Sequence, residues 1–95
     1  MAAKLPEEAL KGALLVGYAE ITLTALPIGQ QARVVNVGMQ GLTRNRLLDL
    51  GLVPSSLVKA VRKSPGGDPV AYKVRGAIIA LRSEESRLIT VWPLD

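Results

Sequence analysis

The 95-residue sequence predicts a mainly β fold: a small closed barrel of about five short strands with one short α-helix inserted after the first. Three observations carry this. Short runs rich in Val, Ile and Leu recur from position 31 onward, separated by clusters of Gly, Pro and Ser. One run, "VAYKVR", alternates strictly, with Val70, Tyr72 and Val74 set against Ala71, Lys73 and Arg75, so that one face is buried and the other wet. A single stretch of the body, "LTRNRLLDLGLVP", carries leucines at helical spacing before a glycine and a proline. Closure into a barrel is expected because it removes the strand edges that so small a sheet has little else to cover.

The elements follow in order. Residues 1–21 read as an extension: in "PEEALKGALLVGY" Pro6 and two glutamates suit a first helical turn, and Leu10, Ala13, Leu14 and Gly17 share a side, so a short N-terminal helix is expected there. It would dock on a partner, on a membrane surface, or on the body itself. The body is residues 22–95. Leu23 and Leu26 anchor its start, "PIG" turns the chain, and "ARVVNV" is the first barrel strand. In the inserted helix Thr43 is expected as the cap, Leu47, Leu48 and Leu50 as the buried side, Arg46 and Asp49 as a facing pair, and Gly51 as the left-handed terminus before Pro54. "SLVKAVRK", "VAYKVR", "AIIALR" and "LITVW" supply the remaining strands, with a tight bend at Gly76 and a polar turn at "RSEES".

Composition excludes much chemistry. With no cysteine and no histidine, disulfides, thiol catalysis, imidazole acid–base catalysis and zinc sites of the usual kind are out of reach, and tight iron binding lacks its soft and imidazole ligands. No cofactor, no metal site and no catalytic residue is expected. The longest apolar run, Gly12 to Ala19, is far short of the roughly 20 residues that cross a bilayer, and Glu7 and Glu8 stand where a secretory signal is positive, so the chain reads as cytoplasmic. Lys and Arg number 12 against 8 Asp and Glu, and the body holds ten against five, an excess that serves solubility and can also steer the chain toward acidic partners. Nucleic acid is a poor fit, since Tyr18, Tyr72 and Trp92 are the whole aromatic supply for base stacking.

The stretch "SPGGDP", Ser64 to Pro69, has the glycines of a phosphate cradle but lacks the helix and the Lys–Ser/Thr pair that complete one. It reads as a hairpin turn in which the Asp68 side chain closes the bend. Glu84, Glu85 and Asp68 are the candidates for a hard cation, but they show no catalytic pairing. Arg62, Lys63, Lys73 and Arg75 lie on the two strands that this hairpin joins, so some of them could share one wet basic patch, the other reading being a solvated face.

The helix ending "RLLDLGL" before Pro54, the "GDP" hairpin leading to "VRG", and the closing "LR" and "LITV" together resemble the FeoA family across residues 22–92. The resemblance implies a small cytoplasmic SH3-like barrel that accompanies FeoB, the membrane ferrous-iron transporter with a GTP-binding domain. It implies a non-enzymatic accessory that acts by protein contact. The expected contact residues are Leu52, Val53 and Pro54 at the helix end and Arg62, Lys63, Asp68 and Arg75 around the hairpin. Self-association stays open, and the alternatives are a basic barrel that binds nucleic acid or a free-standing relative of the C-terminal domain of metal-dependent repressors. The sequence departs from the family where Ser55 and Ser56 stand in place of a glycine and threonine after the proline, and residues 1–21 have no family counterpart.

Overall fold

A computed structural model describes residues 19–94; the expected N-terminal helix lies outside them. Six strands form one antiparallel sheet: β1 (Ile21–Thr22), β2 (Gln31–Val37), β3 (Leu57–Lys63), β4 (Val70–Val74), β5 (Ala77–Leu81) and β6 (Ile89–Pro93), in the order β1-β6-β2-β3-β4-β5. Helix α1 (Gly41–Asp49) follows β2, and a one-turn helix, α2 (Ser83–Ser86), precedes β6. The fold is thus the expected mainly β one, with the two-residue β1 as an added strand.

Alternation buries one face of this curled sheet. Val58 and Ala60 of β3, Tyr72 and Val74 of β4, Ile79 and Leu81 of β5, and Ile89 and Val91 of β6 all point into a single core. Two bulges keep that pattern consistent with the sequence. In β2, Val35 is an extra residue between the pairs Val34–Val91 and Asn36–Thr90, which turns Asn36 outward and Val37 inward. In β3, Val61 is the extra residue between Ala60–Tyr72 and Arg62–Ala71, and it keeps Arg62 out of the core.

The barrel is not closed by a ladder. Strands β1 and β5 end the hydrogen-bonded order, and side chains bridge the interval. The Tyr72 hydroxyl donates to the Leu23 carbonyl at 3.4 Å, and the Thr24 and Ser86 hydroxyls share a bond of 2.8 Å. Burial pushes the Tyr72 phenol above its ordinary pKa, an effect that a hydrogen bond with Ser86 opposes and the Asp68 charge adds to. The segment "RSEES" is therefore more than the polar turn expected: it forms α2 and buries Ser86.

Helix α1 is short and narrow-faced. It begins at Gly41, after Gln40, so Thr43 sits inside its first turn and makes no cap, a correction to the expected start. Leu47 is fully buried and Leu48 packs against the core, but Leu50, which follows the last helical residue as the C-cap, is 40% exposed. Arg46 and Asp49 are both exposed and do not pair within 4 Å; at the surface such a pair gains too little to hold two solvated side chains together. The C-terminus closes as the sequence predicts. Gly51 has φ +103°, its N–H donates to the Leu48 carbonyl at 3.0 Å, and the Leu52 N–H donates to the Leu47 carbonyl at 3.0 Å, the two hydrogen bonds of a Schellman motif. Leu52 and Leu47, which that motif brings together, are both completely buried.

Candidate functional site

The outer face of the sheet, from β2 to β5, forms a groove of about 1110 Å³. Its floor follows from strand register: Gln31 is opposite Lys59, Lys59 is opposite Lys73, and Lys73 is opposite Ile78, so four outward side chains line up across four strands. At the usual strand spacing this row is roughly 14 Å long. One wall is the loop between α1 and β3, with Val53, Ser56 and the first residue of β3, Leu57; the β4–β5 turn, Arg75 and Gly76, continues it. The β3 bulge residue Val61 forms the opposite wall.

Local backbone chemistry fixes these walls. Arg75 and Gly76 connect β4 to β5 with φ of +52° and +85°, the two-residue hairpin whose twist matches the strands it joins. The aliphatic stem of Arg75 lies over Gly51: a Cβ added there would stand 2.5 Å from the Arg75 Cδ. The left-handed φ favours glycine at position 51, and a side chain there would also have to displace the Arg75 stem. In the facing loop, Ser55 has φ +78°, a left-handed conformation that suits glycine. The loop is tied to β2 by Ser55 N–H to the Val34 carbonyl at 2.7 Å, Val34 N–H to the Ser56 carbonyl at 2.9 Å, and the Arg33 guanidinium to the Ser55 carbonyl at 3.0 Å.

The groove is both basic and apolar. Lys59 and Lys73 face each other directly, an arrangement of like charges that opposes strand pairing. Among the described residues the ion pair is Arg82–Asp68, at 3.9 Å, so no carboxylate there neutralises Lys59, Lys73 or Arg75. Beside the cations, Ile78 is 58% exposed, Val61 38% and Leu57 36%.

The "SPGGDP" segment is a different kind of place. It leads from β3 to β4 with no helix after it, and is a hairpin as the sequence predicts. Ser64 closes it, with its N–H donating to the Pro69 carbonyl at 3.1 Å and its hydroxyl to the same oxygen at 2.7 Å. Asp68 does not close its own bend; its carboxylate accepts the Ser83 N–H at 2.9 Å and lies near Arg82. Glu85 accepts the Arg82 N–H at 3.1 Å. Two carboxylates thus satisfy the start of α2, where free N–H groups carry partial positive charge.

The residues expected as contacts are accordingly dispersed. Val53 and Arg75 line the groove. Leu52 is in the core and Pro54 is exposed on the loop. Arg62 and Lys63 are exposed near the hairpin, while Lys73 and Arg75 join Lys59 in the groove, so two of the four basic residues share one patch. Lys59, Leu57, Val61 and Ile78 were not singled out from sequence. The signal for them was present in the form of apolar residues at outward positions of the alternation, read against strand register. Among the described residues no three Asp, Glu, His or Cys side chains come together to hold a metal, and no helix is long and apolar enough to cross a membrane.

Comparison with known proteins places this geometry in context. The FeoA domain family matches residues 21–93. A Porphyromonas gingivalis protein named as a fusion of Fe(2+) transport protein A with the Fe(2+) transporter FeoB is 35% identical over 69 residues, covering 73% of this chain and 8% of the fusion. A putative Fe(2+) transport protein A of Campylobacter jejuni is 30% identical over 71 residues, 75% of this chain and 96% of that one. Among solved structures, the FeoA protein of Chlorobium tepidum superimposes with a TM-score of 0.76 at 36% identity, covering 79% of this chain and 71% of that one. The FeoA of Stenotrophomonas maltophilia, described as a prokaryotic SH3 domain protein and complexed with zinc, gives 0.66 at 33% identity over 75% and 88% of the two chains. A manganese-dependent transcriptional repressor, at 15% identity and a TM-score of 0.70 over 81% of this chain and 43% of that one, shares the fold alone.

Proposed function

The chain belongs to the FeoA family, and from that premise we propose that it is a non-enzymatic accessory of ferrous iron uptake, acting on the cytoplasmic side by contact with a FeoB-like GTP-binding transporter. The observation that carries this reading is the Porphyromonas gingivalis fusion, whose name joins a segment like this chain to the transporter in one polypeptide. Two modules carried on one chain are held at high effective concentration, which favours a direct contact between them. The contact uses the loop after α1, through Val53 and Pro54, and Arg75 beside it; Arg62, Lys63 and Asp68 lie at the far end of β3 and β4. Iron is the transported cargo in this reading, and the accessory holds none.

Affinity capture of the cytoplasmic part of a FeoB-like transporter by the full chain, with ferrous uptake measured in cells lacking the chain, tests the proposal. Association together with reduced uptake is the expected result. Normal uptake without the chain, and no association, would overturn it.

A further inference from the structure

We propose that the groove on the outer face of β2–β5 is the docking site for an acidic, apolar-flanked segment of the partner protein; the identity of the partner rests on the reading just given, the chemistry of the site does not. Three observations point to this occupant. Lys59 and Lys73 are opposed in the sheet with Arg75 beside them, and the described residues supply none of the three with a carboxylate within 4 Å. An anionic group set between two opposed lysines converts a repulsion into two attractive contacts. The cations are embedded among exposed Leu57, Val61 and Ile78, which give nothing to a free anion or a phosphodiester backbone but do match apolar side chains on either side of a carboxylate. The length of the row, roughly 14 Å, suits four or five residues of extended chain at about 3.3 Å each.

Tyr72, one of the two aromatic residues described, is buried, which leaves little surface for base stacking and disfavours nucleic acid as the occupant. Charge steers the encounter here and apolar contact holds it, so the affinity should fall with salt without vanishing.

The test uses the isotopically labelled full chain and two synthetic peptides, Ac-LEELLEEL-amide and its counterpart with every Glu replaced by Gln, with NMR shift mapping. The acidic peptide is expected to shift the amides of β3, β4 and the Arg75–Gly76 turn, and the neutral one to bind at least tenfold more weakly. The double variant K59E/K73E should lose the acidic peptide by at least tenfold with its spectrum still dispersed, while R62E/K63E stays within twofold. The same variants are then titrated with the cytoplasmic part of a FeoB-like transporter. If that part binds wild type and K59E/K73E equally, the groove proposal falls and the transporter reading stands. If the acidic peptide maps to the groove but the transporter part does not bind at all, the transporter reading falls and the chemistry of the site stands.

Other occupants have their own signatures, each of which overturns the proposal. Inorganic phosphate shifting the same amides as strongly as the peptide would indicate a free-anion site. Groove shifts that track protein concentration alongside a dimer in sedimentation would indicate a second copy. Groove shifts in an E7K/E8K variant without any peptide would indicate the chain's own first residues.

Discussion

The hairpin at Ser64–Pro69 and the groove at Lys59–Lys73 look alike in sequence, each a set of charged residues beside glycines or turns, yet their polar groups have opposite fates. At the hairpin the charge is used internally: Asp68 closes the start of α2 and Ser64 closes the turn. In the groove the cations are held outward in register and find no carboxylate among the described residues. A polar group that already has a partner in its own chain contributes to folding; one left exposed without a partner is available to another molecule. Bonding within the chain separates these two regions, and charge alone does not.

The largest test of the contrast is Leu52→Ala. If the helix-end residues are a uniform contact surface, this change should affect partner binding more than folding. Complete burial of Leu52 in the Schellman motif instead predicts a loss of roughly 2–5 kcal/mol in denaturant unfolding. Ser55→Gly has the opposite sign. Relief of the left-handed φ at an exposed loop residue should raise stability by about 1 kcal/mol, read as a higher denaturation midpoint. Asp68→Ala removes an acceptor from the start of α2 and should cost about 1 kcal/mol, with binding of the acidic peptide unchanged. The smallest effect is expected from K73E, which turns the opposed lysines into a cross-strand ion pair. A gain of about 0.5 kcal/mol at low salt that fades at high salt, together with weaker peptide binding, would show that the groove gives up stability for recognition.

How much of this was legible in the sequence depends on the range of the interaction. The β4 alternation, the Gly51 terminus and the turn at Gly76 were readable because each is a local rule acting within a few residues. Thr43 signals the start of α1 too late because a capping side chain is only one way to begin a helix, and here Gln40 precedes Gly41 without a side-chain cap. Local spacing ties Asp68 to its own turn, whereas its partner, the Ser83 N–H, is fifteen positions away. The groove required register: Lys59 and Lys73 become neighbours only once β3 and β4 are paired with Val61 bulged, and no spacing within one strand announces that.

The pairing of β1 with β6 has a consequence for how this domain can be carried. Ile21, where the first strand begins, is opposite Val91, two residues before the last strand ends, so the polypeptide enters and leaves the sheet side by side. Both attachment points sit on the first two strands of the order, with the exit bordering the groove at Gln31, to whose carbonyl the Leu94 N–H donates at 2.8 Å, while the groove runs on from β2 to β5. A unit wired in this way can be tethered to a larger polypeptide, or spliced into one, with both connections made on the same side of the sheet order.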